Sequence, residues 1–498
     1  MTPGDVVAIA DARPRVVDAE SDGQRAERAW REGDAAAAIE AADRALAAGV
    51  DPDCLAASVA AAGAAADGAL LDAAARWRGI AAVLGGVPGA MAAGRAALAA
   101  TLAGDVESAT RDAAEARRTG AASAPRGLTV LLDGVGAVLD AAAGGFEHAA
   151  RRLAGLAVAT VAADALAPER WDDLAVTAMI AGGEDGTARD MLAAYRDRLP
   201  STRRRLLAAW LDLRAGRLAD ARNGLAAAGG TPILRRDAVL AAAITVGLAR
   251  RAADEAVLRA TWHRVAPVVA GAEVELLLLD AWGELSAAAV QVSPIERDTV
   301  VDAMTAAIAR AGTPRWSLAT QAWWALQRAI ATGDPAAATC AAEHLSTLAG
   351  LDERFELRAE AARAWAALLT GDVDAAGVLR AAEALASAGQ PWEAAALCGA
   401  AAGRLTDQAA ARELLGAGRA FRARIATEDR GAAGGGLSNR ERAVGGLLLD
   451  GLTHKEIGAR LYISPKTVEQ HVAKLRQKLL ATNRSELVAA LRARLAAG

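Results

Sequence analysis

Along most of this chain apolar residues return every three or four positions, the spacing that lines one side of a helix rather than alternate sides of a strand. The pattern is sharpest near the C-terminus, where Val468, Val472, Leu475 and Leu479 follow at steps of four, three and four. That stripe begins just after Ser464-Pro465, an N-cap acceptor followed by a residue whose fixed φ suits the first helical turn. On a 3.6-residue wheel the opposite face carries Lys466, Gln470, Ala473 and Gln477, flanked by Glu469 and Lys474. The spacing predicts two helices before it. One runs over Asn439 to Asp450, with Ser438 and Glu441 as a capping box and Gly451 as its stop. The other runs over about His454 to Leu461 and buries Ile457 and Leu461. Asn483 and Glu486 open a last helix with Leu487, Val488, Leu491 and Leu495 along one side.

The preceding residues repeat a looser phrase: an apolar helix, a Gly-Asp-like break, then an alanine-rich helix. Breaks fall at Gly33-Asp34, Gly104-Asp105, Gly144-Gly145, Gly183-Glu184, Gly216-Arg217, Gly333-Asp334 and Gly371-Asp372, with an inverted Asp67-Gly68 between the first two. Several are 33 to 40 residues apart, and the phrase disappears between Arg250 and Pro314. Around Thr427 to Gly436 the run EDRGAAGGG reads as a flexible linker. The expected organisation is a helical body over 1–426, a linker over 427–436 and a small domain over 437–498.

Composition sharpens the fold class. The chain is 53% hydrophobic yet only 3% aromatic, because alanine supplies most of the apolar count. An alanine-rich, proline-poor chain with few β-branched runs is all-α. The overall charge of −4 hides an asymmetry: residues 437–498 hold 11 Lys and Arg against 5 Asp and Glu, a balance of +6, leaving −10 on the rest. Every lysine (Lys455, Lys466, Lys474, Lys478) lies in the terminal domain. A basic helix face above a buried stripe is what the major groove of DNA accepts.

The run GLTHKEIGARLYISPKTVEQHVAKLRQKL followed by NRSEL resembles the LuxR-type (GerE-like) DNA-binding domain of bacterial transcription regulators, over about Leu437 to Leu495. The resemblance implies a four-helix domain in which His454 to about Ala473 is a helix-turn-helix and Pro465 to Lys478 the recognition helix. It implies base-facing roles for Lys466, Glu469, Gln470, Ala473 and Gln477. Phosphate contacts then fall to Lys455, Ser464, Thr467, Lys474, Lys478 and Arg484. The last helix, with Leu487, Val488, Leu491 and Leu495, is implied to pair with its mate in a homodimer. The sequence also departs from the family. Gly445 and Gly446 weaken the first helix, Leu480 replaces the usual glycine, and Glu469 stands where relatives often carry a base, so the target sequence does not transfer.

The period of the body resembles that of tetratricopeptide proteins, most clearly at Ala29 to Leu46 and Leu206 to Ala228. The fold class expected is therefore all-α, a helical-hairpin (TPR-like) solenoid followed by a helix-turn-helix domain. All eleven tryptophans lie in the body, with Trp316, Trp323 and Trp324 on one predicted helix. They are either core plugs between alanine-rich helices or an aromatic ligand pocket. The acidic pairs Asp172-Asp173 and Glu184-Asp185 read as helix caps or turns.

No phosphate-cradling G-x-x-x-x-G-K-[ST] occurs, and no lysine precedes Lys455. Cys54, Cys340 and Cys398 and the five histidines lack metal-ligand spacing, so no metal, cofactor or catalytic constellation is expected. No signal peptide or membrane span is recognisable, which suits a cytoplasmic protein. The expected partners are double-stranded DNA, a second copy of the chain, and a small-molecule or protein effector on the body, with RNA polymerase also open. The expected function is a transcription regulator whose body receives a signal. The other reading is a repeat-type scaffold whose terminal domain docks on RNA polymerase or another protein.

Overall fold

The computed structural model describes residues 20–49, 51–120, 125–158, 164–195, 201–229, 235–252, 254–432, 439–449, 451–461, 465–478, 486–488 and 490–492. Among them every regular element is helical and no strand occurs. None of their helices is long and apolar enough to cross a membrane. The chain divides into two compact units, Met1–Leu415 and Gly416–Gly498.

In the first unit the glycine breaks are hairpin turns with one recurring hydrogen-bond pattern. Gly33, at φ +85°, donates its N–H to the carbonyl of Trp30, and the N–H of Asp34 reaches back to Ala29 at 2.9 Å. Two orphan carbonyls at the end of helix Asp22–Glu32 are thus satisfied, as in a Schellman cap. The Asp34 carboxylate then accepts from the Ala37 N–H at 3.0 Å and starts helix Ala35–Ala47. One Gly-Asp pair therefore ends one helix and begins the next. Asp105 bonds back to Ala100 and Asp334 to Ala329 in the same way, and each carboxylate caps the following helix. Gly68, Gly144, Gly183, Gly216 and Gly371 also take positive φ. Between Arg250 and Pro314, where the phrase is missing, Gly271 and Gly312 make two of the turns, with a 3-10 segment at Leu276–Leu278.

Helices joined by such turns pack on their neighbours and also on the next but one. Gly86–Leu102 touches Arg126–Ala142, Arg235–Arg251 touches Leu279–Ala289, and Leu279–Ala289 touches Arg315–Thr332. Alanines at 0–3% exposure line these contacts, since a methyl group lets two backbones approach closely. At Gly283 even a methyl is too much, because a Cβ would lie 2.2 Å from the Trp324 indole.

The array also winds back on itself. Arg310 donates to the Ala103 carbonyl, Trp316 Nε1 to the Ala142 carbonyl at 2.8 Å, and Arg354 to the Ala181 carbonyl at 2.8 Å. Glu273 accepts from the Leu71 N–H at 2.7 Å. These partners are 173 to 207 residues apart. The hairpin glycines face the same joint: a Cβ at Gly104 would meet the Ala307 carbonyl at 2.8 Å, and one at Gly183 would meet Arg354 Cδ at 2.6 Å.

The interior of this winding is ionic. Glu275 is paired with Arg203 and Arg236, Glu284 with Arg250 and Arg251, and Asp280 with Arg214. Burial pushes the Glu275 and Glu284 carboxyls up, but their guanidinium partners outweigh it and hold both at about 2. Asp172 and Asp173, expected at a cap or turn, lie in the first turn of helix Trp171–Gly182 but are buried, and both are paired with Arg204. A carboxylate beside a buried arginine has a stronger partner than a helix end, which corrects the cap reading.

Helix Gln408–Ala432 covers the first part of the stretch expected to be a loose linker, and the boundary between units falls at Leu415 rather than after residue 426. In 427–432 Gly431 is the poorest helix former, and one glycine costs about 1 kcal/mol against alanine. Residues 433–436 lie outside the described residues.

Candidate nucleic-acid interface

In the second unit, helix Asn439–Leu449 stops at Gly451, whose φ is +83°. Gly451 donates to Leu448 and Leu452 to Leu447, the same cap as in the body. Thr453 and Glu456 then form a reciprocal capping box: the Thr453 N–H donates to Glu456 Oε2 at 2.7 Å, and the Glu456 N–H returns to Thr453 Oγ1 at 3.4 Å. Hydrogen bonds from the Thr453 backbone and hydroxyl hold the Glu456 carboxyl below its ordinary range. Helix His454–Leu461 starts there, and helix Pro465–Lys478 follows. Both spans match the sequence reading. The Thr453–Glu456 box had been missed, although T-x-x-E stands in the sequence; Ser438 and Asn483, the expected caps, lie outside the described residues.

The core of this unit is Val444, Leu448, Ile457, Val468, Val472, Leu475, Leu487 and Leu491. Val468 and Leu475 are fully buried and Val472 is 6% exposed, so the stripe read from the sequence faces inward. Lys466, Glu469 and Ala473 are exposed on the helix carrying that stripe, and Lys455 is exposed on the preceding one. These two faces fix the helix phase. Gln470, Gln477, Thr467, Lys474 and Lys478 belong to the same helix, but their side chains lie outside the described residues, as do Ser464 and Arg484 entirely. Arg476, exposed seven residues after Glu469 and so on the same edge, was overlooked; wheel arithmetic alone places it there.

The dimerisation surface needs correction. Leu487 is 2% and Leu491 0% exposed, both within the core of the unit. A domain this small needs every available large apolar side chain for its own interior. Gly445 explains the fit: a Cβ there would sit 2.8 Å from Leu491 Cδ2, so this glycine admits the last helix rather than merely weakening the first. Val488 is half-buried, Glu486 and Arg492 are exposed, and Leu495 lies outside the described residues.

The three tryptophans of the body do not surround a common chamber. Trp316 is packed edge to face on Phe146 at 5.1 Å, while Trp324 donates to Asp280 at 2.8 Å and Trp323 lies under the Arg358 guanidinium. Trp316 lines a cavity of about 10 Å³, and Trp323 and Trp324 line another of about 30 Å³. Ligand pockets are typically about 300–1,000 Å³, so neither holds a drug-sized molecule. The indoles act as core plugs.

Residues 436–491 match the model of the GerE domain, described as bacterial regulatory proteins of the luxR family. Spore germination protein GerE of Bacillus subtilis (strain 168) is 46% identical over 55 residues, which are 11% of this chain and 74% of that protein. No solved structure matches. Residues 1–435 lie outside the family match.

Proposed function

Because the chain belongs to the luxR family of bacterial regulatory proteins and is a DNA-binding transcription regulator, we propose that helix Pro465–Lys478 enters the major groove of promoter DNA and that the body carries a signal to it. The phase of that helix carries the reading: Val468, Val472 and Leu475 turn inward, leaving Lys466, Glu469 and Ala473 outward. A buried stripe opposite an exposed face that carries polar and charged side chains is the geometry direct readout requires. Lys455 and Arg476 stand beside that face as cations for phosphates.

The finer points of the proposal are these. The body is a tetratricopeptide-like solenoid, supported by the hairpin turns and the packing of each helix on its neighbour and next neighbour. The terminal domain completes its fold with a fourth helix, supported by the helical residues 486–488 and 490–492. The protein binds an inverted repeat as a homodimer, through surface other than Leu487 and Leu491. Its effector, a small molecule or a protein, acts elsewhere than at the tryptophan-lined cavities, which are too small for a drug-sized molecule. Glu469 on the outer face favours a second reading, docking on a basic surface of RNA polymerase.

Selection of DNA from a random pool by the full-length chain tests the proposal. The expected result is one enriched inverted repeat, bound with an affinity that falls steeply with salt as phosphates release their counterions. A pool without enrichment and binding insensitive to salt would turn the interpretation to the docking reading.

A further inference from the structure

The edge of an arginine formed by Nε and Nη2 is a fork that matches the two oxygens of a carboxylate. The body uses that fork repeatedly. Arg28 holds Glu20 through it at 2.9 and 2.7 Å, Arg95 holds Asp164 at 2.8 Å on both prongs, and Arg170 holds Asp172 at 3.1 Å on both. Arg250 closes it on the buried Glu284 at 2.6 and 3.2 Å. On Arg328, in helix Arg315–Thr332, the same fork is empty.

Arg328 is nevertheless held in place. Its Nη1 donates to Ser286 Oγ at 2.9 Å, and the fully buried Ser286 donates its own hydroxyl to the Gly283 carbonyl at 2.7 Å. The hydroxyl is thereby fixed as an acceptor, and it orients the guanidinium in turn. Nε and Nη2 have no partner among the described residues, and neither is sealed from solvent. Nor does Arg328 have a countercharge there. Its own helix carries no acidic residue. On the two helices it meets through Ser286 and Arg297, Asp280 is paired with Arg214, Glu284 with Arg250 and Arg251, and Asp298 with Arg297. Neither these nor Glu296 and Asp302 act on Arg328; the one charge that does is the like charge of Arg297. Burial, and after it Arg297, lowers the Arg328 pKa to about 10.

We propose that the Nε–Nη2 edge of Arg328 is a binding site for the carboxylate of a small organic acid, with Arg297 adding to the positive field around it. Such an acid supplies the charge that Arg328 lacks and one acceptor oxygen for each free N–H. A halide supplies the charge but a single acceptor, and a neutral amide supplies an acceptor without the charge. The fork lies in a recess, since Ser286 behind it is fully buried and Arg328 itself is half-buried. A small molecule reaches it more readily than the surface of a folded partner does. The site stands whether or not the chain binds DNA.

Acetate is the probe, with chloride keeping the ionic strength constant and acetamide as the uncharged analogue. Calorimetric titration and thermal shift of the full chain near pH 8 should show saturable stabilisation by acetate and none by acetamide. Arg328→Gln removes both charge and fork and should abolish the response. Arg328→Lys keeps the charge but offers no fork, and should bind acetate about tenfold more weakly, the loss expected for one unmade bond to a charged group. If the glutamine variant is too unstable to titrate, the lysine variant decides alone. A wild type indifferent to acetate, acetamide as effective as acetate, or acetate binding unchanged in the Arg328 variants would overturn the assignment.

Discussion

Leu491 occupies the space that a side chain at Gly445 would need, with Cδ2 only 2.8 Å from where a Cβ would stand. Gly445→Ala in mid-helix would ordinarily gain up to about 1 kcal/mol. Here the sign should reverse, and hydrogen exchange of the amides in 439–449 and 465–478 should quicken. Leu491→Ala should cost about 2–5 kcal/mol, and DNA binding should fall in step with helix protection. A Leu491→Glu protein with a protected domain and only its cooperativity lost would restore the dimer-interface reading.

Charge on the outer face of helix Pro465–Lys478 should control how strongly binding depends on salt. Glu469→Lys should tighten binding to all sequences and steepen the slope of log affinity against log salt by about 0.9 if it reaches a phosphate. Lys455→Ala should weaken every sequence alike. Lys466→Ala should cost about 1–3 kcal/mol on the selected site and relax one base position. A mobility-shift series over several salt concentrations reads all three.

Trp316→Phe deletes the donor to the Ala142 carbonyl while keeping most of the ring. Leaving a buried carbonyl unpaired should cost about 1–3 kcal/mol in urea unfolding of the body. Trp316→Ala should cost more, about 3–5 kcal/mol.

Glu169 gives the body a distinctive pH response. It meets Arg236 at 3.1 Å and Arg203 at 3.5 Å, but Glu275 and Asp237 draw on the same cations. Burial pushes its carboxyl from 4.5 up to about 7, and the two arginines only partly offset this. The folded state therefore holds a proton that the unfolded chain releases, so this group stabilises below pH 4.5 and loses its contribution as pH rises toward 7. Glu169→Gln keeps the neutral form. The melting temperature of the variant relative to wild type should rise across that window and level off above it. A difference independent of pH would show that Glu169 stays ionised.

What could be read from sequence followed local chemistry. Gly33-Asp34 and Gly451 announce their turns because positive φ and an aspartate cap are properties of one or two residues. The stripe Val468, Val472, Leu475 fixed its own helix face for the same reason. The failures concern distance along the chain. Nothing near Glu275 reveals that Arg203 lies 72 residues upstream in sequence and beside it in space. Leu491 looked free for a partner because its neighbour Gly445 belongs to another helix. The tryptophans clustered in sequence, yet Trp316 packs on Phe146 and lines a different cavity from Trp323 and Trp324.

The long-range bonds from Arg310, Trp316 and Arg354 to the ends of earlier helices give the body a fixed pitch. An open array, held only by adjacent repeats, can lose or gain a unit and remain in order. A coil whose second turn is keyed to its first cannot. Excising one hairpin between Ala181 and Arg310 would move every later donor one rung out of step with its acceptor. In such a body the length of the chain between donor and acceptor is as constrained as the fill of its core.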